Sequence, residues 1–208
     1  MNMQKDTVRL LIEELSVNMR WLAESGWFPG SSGNFSVFAR DEGKIYIKTT
    51  GSRASKIDLE NIVILNPKGE RLSGKGVPSK EYRFHLGIYK LGRGLNAVIH
   101  GHPPHATAFA LAGHELPIVT GPAKIYLKKI PLVEYAPGGS DELAEYVTEA
   151  FRDTDVKAVL LKGHGVVCAG DSLIDVVNIA EWLEDNARSY TILNSLDQPG
   201  SPTLDSSR

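Results

Sequence analysis

Apolar residues recur along this chain with two different periods, and each change of period marks an element. Val8, Leu11, Ile12, Leu15, Met19 and Leu22 fall at three- and four-residue spacing, which predicts an amphipathic helix over 6–25 that Gly26 ends. Residues 35–40 and 44–49 read as strands. Asp41-Glu42-Gly43 between them is a short loop whose glycine can take positive φ, so the pair reads as a hairpin. A third strand over 62–66 closes in Pro67-Lys68-Gly69. Helices over 81–90 and 104–111 flank a buried strand at 97–100. A helix over 122–129 and a strand over 132–135 follow. Ser140-Asp141-Glu142 then opens another helix with an N-cap serine and first-turn acids. Strands at 157–161 and 166–169 bracket a Gly-His-Gly turn, and a long helix at 172–193 carries Ile174, Val177, Trp182 and Leu183. Strands that come both in hairpins and between helices predict an α/β fold with a largely antiparallel sheet and helices on its faces. Residues 1–196 read as a single domain; 197–208, rich in Ser, Pro and Asp, read as a polar C-terminal tail.

Composition narrows the partners. A 208-residue chain that is 42% hydrophobic can bury a substantial core. Its net charge of −2 gives no electrostatic reason to expect nucleic acid or an anionic membrane. The amino terminus is polar and then amphipathic, so neither a signal peptide nor a membrane helix is expected. The single cysteine, Cys168, cannot make an internal disulfide. It reads as a small core residue and suits a reducing cytoplasm.

The chemistry concentrates at two strand ends. His100-Gly101-His102 ends one apolar run, and His164 follows sixty-two residues after His102 in Lys162-Gly163-His164-Gly165. Side chains at i and i+2 of a strand share a face about 6.5–7 Å apart. Two nitrogens can converge from there on one Zn²⁺ at about 2.0–2.1 Å each. A third His completes a set with an open position, as catalytic zinc sites have. Pro78-Ser79-Lys80-Glu81 adds a carboxylate at a helix start, either an acid answering the helix dipole or a fourth ligand and base. The loop Gly30-Ser31-Ser32-Gly33-Asn34 offers backbone amides, two hydroxyls and a carboxamide, groups able to hold an anion. His85, His105 and His114 read as ordinary polar residues.

In this order, Gly30–Ser36, Thr49-Thr50-Gly51-Ser52, Pro78-Ser79-Lys80-Glu81 and His100-Gly101-His102 with His164 resemble the class II aldolase/adducin family over roughly residues 6–194. That resemblance implies a three-layer α/β/α sandwich and a zinc-dependent lyase. It implies His100, His102, His164 and Glu81 at the metal, with Glu81 as the acid/base. Ser32, Gly33, Asn34, Gly51 and Ser79 would hold the phosphate of a ketose substrate. It also implies a homotetramer with sites between subunits. Lys80 stands where relatives carry a small residue, and either adds a cation at the phosphate or points to solvent. Adducin-like members have lost the metal site, but the intact triad and Glu81 argue for an enzyme.

Two segments indicate different reactions. Trp27-Phe28 before the glycine-rich loop is similar to the family's 5-methylthioribulose-1-phosphate dehydratases of methionine salvage. There the pair would form an aromatic lip for a thioether; alternatively it is core. Residues 120–135 look more like archaeal-type fuculose-1-phosphate aldolases. The family's catalytic Tyr and Glu both have no counterpart near Pro122. The dehydratase is the leading expectation, with the L-fuculose-1-phosphate type of aldolase second.

Overall fold

The computed structural model describes residues 2–196, with side chains from residue 8 onward. Eight strands form one mixed sheet: β1 (Asn34–Ala39), β2 (Lys44–Lys48), β3 (Ile62–Leu65), β4 (Arg71–Ser73), β5 (Ala97–Gly101), β6 (Leu132–Val133), β7 (Ala158–Leu161) and β8 (Gly165–Gly170). Their order across the sheet is β4-β3-β2-β1-β5-β8-β7-β6, and only the edge pair β6–β7 is parallel. Six helices cover it: α1 (Asn2–Glu24), α2 (Tyr82–Lys90), α3 (Pro104–Ala112), α4 (Gly121–Tyr126), α5 (Asp141–Ala150) and α6 (Leu173–Leu196). This is the expected three-layer sandwich.

The strand alternation fills two cores. Tyr46, Ile99, Val166 and Cys168 face one side with α1, α3, α4 and α6. Ile45, Ile47, Val98, Val167 and Ala169 face the other with α2 and α5. A sheet buried on both faces reads as continuous apolar runs, hence the strong strand signals at β5, β7 and β8. Cys168 is fully buried, and burial pushes its thiol pKa up. Among the described residues no helix is long and apolar enough to cross a membrane.

Two elements differ from the sequence reading. β4 was not expected: all three of its residues are exposed, so this edge strand buries no face and leaves no apolar pattern. The 41–43 loop closes through a turn of 3-10 helix at Arg40–Glu42, with Gly43 at φ +63° taking the left-handed cap. The tail expected at 197–208 lies outside the described residues.

Candidate active site

Three segments converge where β1, β5 and β8 end. His100 sits on β5 opposite Asn34 of β1 and Val167 of β8, and is 1% exposed. His102 follows one residue after the strand. His164 occupies the β7–β8 turn, where Gly163 takes φ +69° and the His164 amide donates to the Leu161 carbonyl. The imidazole centroids lie 4.7–5.3 Å apart, and one nitrogen from each ring falls within 4.8 Å of the others. Two glycines permit this approach. A Cβ at Gly165 would stand 2.6 Å from the Gly101 carbonyl and 2.7 Å from His102 Cδ2, and one at Gly101 would meet Trp27.

Glu81 faces the cluster instead of its own helix. It is the N-cap residue of α2, yet its side chain makes no cap hydrogen bond. Its Oε2 lies 3.2 Å from His100 Nε2 and accepts from Asn34 Nδ2 at 2.8 Å; its Oε1 lies 3.7 Å from His164 Nε2. Oε1 is buried and without a hydrogen-bond partner. A buried carboxylate oxygen left open beside imidazole nitrogens suits a cation or a proton.

A polar cavity of about 270 Å³ opens beside Glu81 and His164, lined by Ser31, Gly33, Asn34, Thr50, Gly51 and Ser79 among others. The segments that line it are tied together by backbone. The Thr50 amide donates to the Val77 carbonyl and the Ser79 amide to the Lys48 carbonyl, so residues 49–51 lie beside 77–79. Gly33 is required twice over. Its φ is +68°, and a Cβ there would lie 2.6 Å from the Phe28 ring and 2.7 Å from the His100 carbonyl. Of the expected anion ligands, Gly33, Asn34, Gly51 and Ser79 line the cavity. Ser31 stands there where Ser32 was expected, and the Ser32 hydroxyl is buried without a partner. Lys80 is exposed at the rim.

The aromatic lip is not there. Trp27 and Phe28 are 1% and 5% exposed and belong to the core under the glycine-rich loop. Their rings support Gly33 and Gly101 from below, which leaves no face for a thioether in the cavity. The 860 Å³ groove along α1 is far larger, but apolar and remote from every imidazole of the cluster.

Lys48 is the residue that sequence reasoning missed. It ends β2, is 2% exposed, lines the cavity, and has only the Ser31 and Thr49 carbonyls within reach, at 3.3 and 3.4 Å. None of the ion pairs among the described residues includes it. Burial lowers its pKa to about 8. The signal was present as a lysine closing the apolar run Ile45-Tyr46-Ile47 immediately before Thr49-Thr50-Gly51. The three other histidines stay outside the cluster. His85 is wholly buried on α2, His105 pairs with Glu184, and His114 is exposed.

With this geometry in view, the relatives can be placed. Residues 13–191 match the family described as Class II Aldolase and Adducin N-terminal domain. The chain belongs to that family. It is 39% identical to an L-fuculose phosphate aldolase of Methanocaldococcus jannaschii over 85% of this chain and 93% of that one. It is 34% identical to a 5-methylthioribulose-1-phosphate/5-deoxyribulose-1-phosphate aldolase of Escherichia coli, over 86% of this chain and 83% of the relative. A solved L-fuculose 1-phosphate aldolase superposes with a TM-score of 0.83 at 29% identity, covering 92% of this chain and 89% of the other.

The donor set fits the divalent metal that the family resemblance implies. His100 Nδ1 lies 2.9 Å from the Val166 carbonyl, which fixes the tautomer and leaves Nε2 as a lone pair toward the cluster. Burial, with the neighbouring imidazoles adding to it, lowers the pKa of His100 to about 3 and of His102 to about 4. Both are therefore neutral near pH 7, the state in which imidazole ligates. Neither the Tyr126 phenol nor the Glu115 carboxylate is part of this site. Tyr126 stacks on Trp182 at 3.9 Å between centroids, and neither it nor Glu115 lines the cavity.

Proposed function

We propose that this protein is a zinc-dependent class II aldolase that cleaves a ketose 1-phosphate of the fuculose type to dihydroxyacetone phosphate and an aldehyde. The observation that carries the reading is the shared mouth of two sites. His164 of the metal-fitting cluster and the neighbouring Glu81 line the same small cavity as Ser31, Gly33, Gly51, Ser79 and Lys48.

His100, His102 and His164 would hold the zinc, with Glu81 beside it. When bound, it supplies Lewis-acid polarisation of the substrate carbonyl, an effect worth several kcal/mol. The chain's own groups do the rest. Lys48, the Gly33 and Gly51 segments, and the Ser31 and Ser79 hydroxyls hold the phosphate on C1. The C2 carbonyl and its neighbouring hydroxyl then face the imidazoles. Glu81 Oε1, which has no hydrogen-bond partner, takes the C4 hydroxyl proton as the C3–C4 bond breaks and its electron pair moves toward C2. Glu81 then returns that proton to C3, completing dihydroxyacetone phosphate and releasing the aldehyde. The dehydratase alternative rested on the aromatic lip, and Trp27 and Phe28 are core. The homotetramer remains part of the reading, supported by exposed Leu10, Val17, Ile174 and Ile192 on α1 and α6.

The test is product analysis of the zinc-loaded protein with L-fuculose 1-phosphate and, separately, 5-methylthioribulose 1-phosphate. Dihydroxyacetone phosphate is expected. Loss of water from the second substrate with no carbon–carbon cleavage would restore the dehydratase.

Lys48 makes this reading pH-dependent. Its folded pKa is about 8, below the ordinary lysine value, so the cation is present below that pH and disappears above it. Profiles of kcat/KM report the free enzyme. They should fall above about pH 8, as the phosphate loses its cation. A charge-assisted hydrogen bond contributes about 1.5–3 kcal/mol, so Lys48→Met should weaken substrate binding roughly ten- to hundredfold and abolish that limb. An unchanged profile in the variant would remove Lys48 from the phosphate site.

A further inference from the structure

The cluster is backed by a line of buried polar groups that the proposed chemistry does not use. Asn34 Oδ1 lies 2.5 Å from His85 Nε2, His85 Nδ1 lies 2.7 Å from Ser36 Oγ, and Ser36 Oγ lies 2.7 Å from Tyr89 Oη. The Tyr89 hydroxyl also donates to the Ser36 carbonyl at 3.0 Å. Asn34, Ser36, His85 and Tyr89 are at most 3% exposed, in a layer otherwise filled by Phe84, Ile88 and Val98. Burying four polar side chains there is unfavourable unless each is paired, and each is. Together with Glu81 they make one continuous chain.

Its hydrogen-bond direction follows from one end. The Glu81 carboxylate only accepts, so the Asn34 atom facing it at 2.8 Å is the amide nitrogen. Asn34 then presents its carbonyl to His85, and His85 Nε2 must carry the proton. Burial keeps the His85 imidazole neutral, with its pKa lowered to about 3, so Nδ1 is an acceptor. Ser36 donates to it, and the one Tyr89 hydroxyl proton, which burial retains, is shared between Ser36 Oγ and the Ser36 carbonyl.

We propose that His85 is a positioning residue for the active site, acting through Asn34. Donation from His85 Nε2 locks the Asn34 carboxamide with its NH₂ group toward Glu81 Oε2, so the unpartnered Oε1 is held beside His164 Nε2. Register and helix phase build this in. Asn34 and Ser36 are two apart on β1 and share a face, while His85 and Tyr89 are four apart on α2 and face them. The Phe84 ring stacks on His85 at 4.7 Å and keeps the imidazole from turning.

The inference rests on the aldolase reading for its kinetic test but not for its spectroscopic one. Imidazole ¹⁵N NMR of the zinc-loaded wild type should show His85 as the Nε2-protonated tautomer throughout the neutral range. The Asn34 side-chain amide should show a rigid order parameter. His85→Phe keeps the ring volume and its stack on Phe84 but removes both hydrogen bonds. It should loosen the Asn34 amide and lower kcat by about ten- to a hundredfold, as small misplacements in active sites do, with KM moved far less. His85→Gln, which can still donate to Asn34, should recover most of that loss. Combining His85→Phe with Asn34→Ala should cost no more than Asn34→Ala alone, because residues acting through one contact are not additive.

An Nδ1-protonated His85, a rigid Asn34 amide in His85→Phe, or additive losses would overturn the proposal. If His85→Phe does not fold, the wild-type tautomer and the His85→Gln kinetics decide the matter. If the wild type fails to cleave L-fuculose 1-phosphate, the aldolase reading falls, and the two NMR readouts still judge the positioning role.

Discussion

His102→Ala should purify with zinc well below one ion per chain and should lose at least about 10³-fold in turnover. The size follows from Lewis-acid stabilisation worth several kcal/mol, at tenfold per 1.4 kcal/mol. His102 is the suitable member of the triad because it lies just beyond β5, outside the ladder that His100 joins, so its removal leaves the strand pairing intact. The variant should therefore keep its fold, visible as an unchanged far-UV spectrum. Chelation followed by added zinc should restore the wild type and leave His102→Ala inactive. His114→Ala, exposed and outside the cluster, serves as the control. Stoichiometric zinc in His102→Ala would refute the assignment of the triad.

The second large effect concerns Glu81. Glu81→Gln should lose about 10²–10⁴-fold in kcat, the usual contribution of a general acid/base. The structure explains why this loss should be chemical. The Glu81 side chain does not cap α2, so the helix does not depend on it. A glutamine oxygen can still accept the Asn34 hydrogen bond, which keeps the carboxamide and the chain behind it in place. Three imidazoles remain to hold most of the zinc. What the amide cannot do is accept a proton. A loss of under fivefold would move proton transfer to another group, and with Tyr126 and Glu115 away from the cavity the adjacent subunit would be the next place to look.

Much of this was legible before folding. Apolar runs buried on both faces revealed β5, β7 and β8. Histidines at the ends of those runs gave the cluster, because a strand end is a fixed point in a pleated sheet. The Gly33 turn was legible because only glycine tolerates its φ and its closeness to the His100 carbonyl. Family motifs in order supplied the lyase expectation and the sandwich.

Other features were settled only when the chain packed. Trp27 and Phe28 look the same in sequence whether they line a pocket or fill a core; the side of the loop they take decides, and they lie beneath it. β4 buries no side chain, so its pairing with β3 left no mark on the pattern. Lys48 reads as an ordinary strand-end lysine until folding buries it with its ammonium at the Ser31 and Thr49 carbonyls. His85 reads as a polar helix residue until α2 packs onto β1 and sets it between Asn34 and Ser36. The sequence determined which groups stand at element ends, since local periodicity and glycine geometry are written there. Which of those groups share a cavity, lose solvent or hold one another in place depends on contacts fifty residues apart, and only the tertiary structure decided it.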